Sequence, residues 1–307
     1  MKRNIYSYSK LWMIFFVLMG AACTNQVEDA IPVSGQPIEF SVQSDWKEIH
    51  NSRSNDKTQF GPNDEILIFG FHKPFRDADE NVQFMYKEGD PTTGQKVTYD
   101  NGNWNYSPKR FWPKKGVLDF FASYPYNSVH YDVGNKRMTY NNNLTQDLLY
   151  GLATNRDCAS KETVSIWMVH ALAKVRIILD ESLGDIGQVT VSGYKTGHFS
   201  PINNGVPAWE IDNVNTHIYA DFRKYEGKVD EELKNNNSVT VFILPDKITG
   251  LKMWNSVGQE IDASEEIKKH TFLAGKVYNL TISKSNGVRK KNTNSRSIAM
   301  SVRCVSE

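Results

Sequence analysis

The chain has 307 residues, with 36 basic and 35 acidic side chains and a formal charge of +1. That balance excludes a global field that would draw the chain to nucleic acid or to an acidic surface. Of three cysteines only Cys158 and Cys304 lie beyond residue 23, which excludes a disulfide framework or zinc cluster and leaves one optional bridge, so stability must come mainly from a core.

The chain opens with Lys2 and Arg3, then an apolar run over 11–19, then Gly20-Ala-Ala22 and Cys23. A basic start, a short apolar stretch and a small-residue exit predict a secretory signal over 1–22, too short to span a bilayer. Cys23 directly after the small residues reads as a lipobox cysteine, although Gly20 stands where leucine is usual. An ordinary signal with an incidental cysteine is the alternative. A diacylglycerol on Cys23 would tether the mature chain of 307 − 22 = 285 residues without spanning the membrane. Residues 23–37 are polar and carry Pro and Gly, as a tether would.

Period-two alternation with aromatic and β-branched runs then dominates. Strands are predicted at 38–42, 65–72, 82–86, 96–99, 103–106 and 117–124, with a hairpin turn at Asp100-Asn-Gly102. One helical turn is expected at 146–150. A second set is predicted at 164–179, 189–194, 216–222, 239–244, 251–255, 269–272 and 277–282. The longest of these places Ala171, Ala173, Val175, Ile177 and Leu179 on a dry face and Leu172, Lys174, Arg176 and Ile178 on a partly wet one. Two clusters of short strands predict two tandem β-sandwiches, at 38–160 and 161–283, joined near 155–161. Residues 284–307 form a basic linker followed by a strand pattern, Ile298, Met300, Val302 and Cys304, with no obvious partner in its own chain.

The residues offer little chemistry. Asp77, Asp79, Asn81 and Glu88 mimic part of a calcium loop, but the required glycine is Val82, so no metal is expected. His170 among apolar neighbours reads as a structural histidine, and Asp230-Glu231-Glu232 as a solvated turn. No nucleophile elbow, zinc helix or phosphate loop is present in the sequence, so neither an enzyme nor a cofactor is expected. Most tryptophans, including Trp104, Trp112 and Trp167, are expected in the core, while Trp209 and Trp254 are flanked by polar and turn residues and are candidate surface aromatics.

Several segments carry a resemblance. They are Tyr106-Ser-Pro-Lys-Arg-Phe-Trp-Pro113, Leu118-Asp-Phe-Phe-Ala-Ser-Tyr-Pro125, Asp147-Leu-Leu-Tyr150, Val164-Ser-Ile-Trp-Met-Val-His-Ala-Leu-Ala-Lys-Val175, Ile243-Leu-Pro-Asp246 and Ala274-Gly-Lys-Val-Tyr-Asn-Leu-Thr281. In this order they resemble the fimbrillin family of Bacteroidales, including its Mfa-like members, over about residues 38–283. The start from Ile38 through Asn51-Ser-Arg53-Ser54 to Phe60 is similar to the family's opening, with Ser where Thr and Ala are usual. Glu28 and Asp29, just after the lipid site, resemble the surface-export signal of such lipoproteins.

The resemblance implies an all-β fold of two transthyretin-like Greek-key sandwiches and a lipidated pilus subunit of the outer membrane and fimbrium. It further implies that an arginine-specific protease cuts an early loop, the first strand leaves, and a neighbour's strand fills the groove. Arg53 is then the candidate processing site, and Ile298, Met300 and Val302 the candidate donor strand. Partners would be copies of itself or sister subunits, with a host or bacterial surface ligand beyond. The rival expectation is a non-polymerising surface lipoprotein that binds glycan through exposed aromatics.

Overall fold

The computed structural model describes residues 31–44, 59–75, 81–201, 208–212, 217–284 and 300–306. The first half supplies β1 (Val33–Pro37), β2 (Phe40–Ser44), β3 (Glu65–Lys73), β4 (Val82–Met85), β5 (Gln95–Asp100) and β6 (Asn103–Asn105). It continues with β7 (Phe111–Pro113), β8 (Val117–Tyr124), β9 (Val129–Asp132), β10 (Arg137–Asn141), β11 (Leu149–Asp157) and β12 (Val164–His170). The second half supplies β13 (Ala173–Leu179), β14 (Ile186–Tyr194), β15 (Thr196–Phe199), β16 (Glu210–Ile211), β17 (His217–Arg223) and helix α1 (Glu231–Asn236). After these come β18 (Ser238–Ile243), β19 (Gly250–Asn255), β20 (Glu260–Asp262), helix α2 (Ser264–Ile267), β21 (Val277–Lys284) and β22 (Met300–Ser306).

The fold is all-β, as its alternation and turn chemistry predict. The large first sheet runs β2-β12-β11-β8-β3-β5-β6, with β4 also on β3. The predicted hairpin joins β5 to β6, with Asn101 and Gly102 at φ 46° and 85°, the positive values that a tight hairpin turn requires. Two four-stranded sheets, β18-β13-β21-β22 and β17-β14-β19-β20, build the second sandwich. A further sheet, β16-β15-β10-β9, takes two strands from each half.

Three cores follow from this. The first lies on one face of the large sheet and holds Ile38, Phe40, Ile66, Phe120, Trp112 and Ile166. The second lies on its other face, under the mixed sheet, and joins Phe69, Phe121 and Tyr150 to Phe199 and Leu244 of the second half. The third fills the second sandwich around Val175, Ile177, Val191, Val241 and Leu280. Within β3 and β8 successive side chains therefore go to different cores, and almost every residue is buried. Strands dry on both faces read as unbroken apolar runs.

Several expectations need correction. The strand predicted over 164–179 is two strands in different sheets. β12 pairs with β11 and, in parallel, with β2, whereas β13 pairs with β18 and β21. The break falls at Ala171 and Leu172, which are both buried in the second core, so Leu172 is not on a wet face. The sheets change hands there rather than near residues 160–161. The helical turn expected at 146–150 is instead a bend leading into β11, because Leu148 and Leu149 are consecutive and both buried, in different cores. Residues 269–272 form no strand and contribute a single bridge, Asp246 to Phe272. Asp230-Glu231-Glu232 is no solvated turn: Asp230 caps α1 by accepting from the Leu233 amide at 2.8 Å, and Glu232 is buried.

The tail strand has a partner in its own chain. β22 lies antiparallel on β21, in register from Tyr278 opposite Ser306 to Lys284 opposite Met300. Alternation alone marks a strand, but the edge that receives it is created only when β21 lies parallel to β13.

Candidate functional site

Two strands, β2 near the start of the described chain and β22 at its end, occupy sheet edges. β2 closes one edge of the large sheet, and β12 is its ladder partner. The Ile38-x-Phe40-x-Val42 alternation turns all three side chains into the first core, while Glu39 and Gln43 face out. Phe40 meets the edge of Phe120 with ring centres 5.3 Å apart and packs on Tyr106 at 5.8 Å. The Tyr106 hydroxyl donates to the Ile38 carbonyl at 2.7 Å, and burial pushes that phenol up to about 12. Backbone bonds from Ile38 to Arg110 and from Val164 to Glu39 complete the seat.

The chain between β2 and β3 carries Arg53, which lies outside the described residues. It returns at Phe60, whose ring packs edge-on against Trp104 at 4.9 Å and Tyr124 at 5.7 Å. Cys23 and Ile298 also lie outside the described residues, as do Asp77 and Asp79. Met300 and Val302 fall in β22, at the opposite end of the chain from β2.

The predicted surface aromatics divide differently from expectation. Trp209 packs on Phe199 at 4.8 Å and on Tyr140 at 6.0 Å, and its indole N–H donates to the Ala171 carbonyl at 2.9 Å. It helps to seal the joint between the halves. Trp254 is half-exposed on β19. Trp167, expected in the core, is 55% exposed on the outer side of β12, because the alternation that buries Ile166 and Met168 turns it out.

The motif residues with ionisable groups are engaged structurally. His170 pairs through Nδ1 with Asp147, so two of the quoted motifs meet in space. Asp119, almost fully buried, pairs with Lys73 at 3.1 Å and accepts the Asn155 amide at 2.6 Å. Glu232 faces Arg176 at 3.3 Å and accepts hydroxyl bonds from Ser238 and Thr240 at 2.8 and 3.2 Å. Lone buried charges are costly, and these are held by partners. Cys158 is a free thiol in the first core, pushed by burial to about 12. Among the described residues no group of three or more His, Cys, Asp or Glu is placed to hold a metal, and no helix is long and apolar enough to cross a membrane.

Sequence reasoning missed β1, β7, β9, β10, β15, β16 and β20, all of five residues or fewer, and also the nine-residue β11, where it expected only a helical turn. It also missed the buried pair of Glu232 with Arg176, for which spacing offers no signal.

The comparisons agree with this architecture. A candidate cell adhesion protein from Bacteroides uniformis ATCC 8492 superposes with a TM-score of 0.54 at 16% identity, over 88% of this chain and 97% of that one. Another from Bacteroides ovatus ATCC 8483 gives 0.51 at 14% identity, over 88% and 96%. At such identities these likenesses speak for the fold alone. No curated protein matches the sequence. The model of the family described as fimbrillin-like matches residues 52–299, ending just before β22. Because that match takes in most of the 307 residues, and the sandwiches and motifs fall within it, the chain belongs to the fimbrillin-like family.

Proposed function

We propose that the chain is the exported precursor of a fimbrial structural or adhesive subunit, lipidated on Cys23, held at the cell surface, and assembled by protease-triggered strand exchange. It acts through binding surfaces and not as an enzyme, and its partners are copies of itself or sister subunits. The observation that carries this reading is the seat of β2. It is an edge strand with one ladder partner that, with Ile38 just before it, sends three side chains into the first core, and the segment joining it to β3 contains Arg53.

Cleavage after Arg53 leaves β2 without a covalent link to the rest of its sheet. Its departure exposes the seats of Ile38, Phe40 and Val42, at about 1.5–3 kcal/mol per side chain. That sum rivals the whole stability of an ordinary domain, so the open groove must be refilled. Ile298, Met300 and Val302 repeat the inward spacing of Ile38, Phe40 and Val42, and a strand with that spacing from a neighbour can enter the groove in matching register. In the monomer the same tail covers the edge of β21, which otherwise presents unpaired backbone groups.

The test treats the purified unlipidated protein with an arginine-specific protease and follows intact mass and assembly together. A single cut after Arg53, followed by detergent-resistant ladders, is expected. Arg53→Ala should prevent both events, and deletion of residues 298–304 should leave the cut but remove the ladders. Cutting that yields only monomers sinks the polymer reading. The exposed Trp167 then favours the rival, a glycan-binding surface lipoprotein.

A further inference from the structure

The turn from β7 to β8 is built of Lys114, Lys115 and Gly116. Gly116 sits at φ 92°, and a Cβ there would lie 2.2 Å from the Lys73 carbonyl oxygen, so only glycine lets the turn close over the end of β3. His72 Nε2 is 2.9 Å from the Lys115 carbonyl oxygen, and the Lys114 amide donates to the Pro32 carbonyl at 2.9 Å. These bonds hold the first described residues against β7, where β1 pairs from Val33 opposite Pro113 to Pro37 opposite Phe111.

Between this two-stranded wall and β4 runs a cleft of about 820 Å³. Its described lining carries Lys109, Arg110, Lys114 and Lys115 and no carboxylate. The three lysines are exposed, and among the described residues none is within ion-pair distance of an acid. Arg110 lies 5.8 Å from the Tyr86 ring. Apolar groups stand out of the same face: Val33, Val82 and Phe111 in the lining are all exposed, and Phe75, next to Pro74 of the lining, is 68% exposed.

We propose that this face is the membrane-facing surface of the tethered chain, seated on the phosphate-bearing headgroups of anionic lipid. Two observations favour a lipid surface. Cations beside protruding aromatic and aliphatic side chains match the two layers of a headgroup boundary. The cleft also begins at Ile31, which is 31 − 23 = 8 residues beyond Cys23, a reach of at most about 28 Å fully extended. An anchor that short brings this face, and no distant one, to the bilayer. The orientation rests on the lipidation of Cys23 proposed above. In the sequence, Arg76, Asp77, Asp79 and Glu80 stand between Phe75 and Val82 and lie outside the described residues.

The test floats the mature chain from residue 23 carrying Cys23→Ser, which has no signal segment and no acyl chain, with vesicles of phosphatidylcholine alone or mixed with phosphatidylglycerol. Binding is expected on the anionic vesicles only and should weaken as salt rises. The triple variant K109Q/K114Q/K115Q should lower partitioning roughly a hundredfold, at about fivefold per lysine. Phe75→Ser, at an exposed position, should lower it severalfold and leave the melting temperature unchanged. Equal binding to both vesicle types, no binding to either, or indifference to the triple variant overturns the proposal. Lysine-dependent binding to soluble polygalacturonate without vesicle binding also overturns it and assigns the face to an acidic glycan. Lipidation is read separately, from the mass of the Cys23 peptide in membranes of the producing cell. A missing acyl mass sinks the anchor and the orientation, whereas the flotation result reports on the surface by itself.

Discussion

In the first half the central strands β3 and β8 are dry on both faces, while in the second half β13 and β21 are dry on one. Ile66 and Ile68 point to one core and Leu67, Phe69 and Phe71 to another, whereas β13 buries Val175 and Ile177 and leaves Lys174 and Arg176 part-exposed. The extra cover on the first half comes partly from the second, through β15, β16 and Leu244. The halves are therefore unequal: the first completes a core only with strands borrowed from its neighbour. Rigidity at the joint follows from shared core rather than from a linker.

The largest expected effect tests that dependence. Phe121 meets Phe69 at 6.5 Å and Phe199 of the second half at 5.7 Å. Phe121→Ala should cost about 3–5 kcal/mol and lower the unfolding midpoint reported by probes in both halves. Unfolding of the first half alone breaks the idea of a shared core. Arg176→Met removes a cation from beside the buried Glu232 and should cost about 1–3 kcal/mol, less than breaking a fully buried pair because Arg176 is partly exposed. Its denaturation curve should shift mainly for the second sandwich.

Smaller effects sharpen the comparison. Trp209→Ala removes an aromatic contact and one hydrogen bond at the joint and should cost about 2 kcal/mol. Trp167→Ala, on the exposed side of β12, should cost less than about 0.5 kcal/mol in the same measurement. Cys158 should resist thiol reagents at mildly alkaline pH in the native protein and react only on unfolding, because its thiol remains protonated until about 12.

The smallest effect concerns pH. The Thr92 hydroxyl, then that of Thr93, hold the Asp90 carboxyl down at about 2. A carboxyl lower in the folded state than in the unfolded one stabilises above its ordinary value of 3.8. That stabilisation disappears as pH falls from about 4 to about 2. Thr92→Val should narrow this window and lower stability at neutral pH by a few tenths of a kcal/mol, given the solvent around Asp90, with little change at pH 2. Acid unfolding curves of the two proteins check this.

What could be read from the sequence was local and periodic. The alternation of Ile38, Phe40 and Val42 placed a half-buried strand, Asp100-Asn-Gly102 placed a hairpin, and the ordered motifs pointed to the family and to tandem sandwiches. Short strands such as β9, β15 and β16 were not legible, because so few residues hold no full alternation and form only against a partner distant in sequence. The strand pattern running through Ala171 and Leu172 hid a change of sheet, since a period-two pattern carries no mark of which partner each residue meets.

The candidate site divides along the same line. Cys23, Arg53 and the Ile298, Met300, Val302 alternation are sequence readings and stay so, because they are defined by residue type and order. Only the tertiary structure decided that β2 is an edge strand, that β22 rests on β21, and that Lys109, Lys114 and Lys115 gather beside Val33 and Phe111. Edges and charged faces belong to the pairing of distant strands, and pairing energy is collected only when the whole sheet has closed.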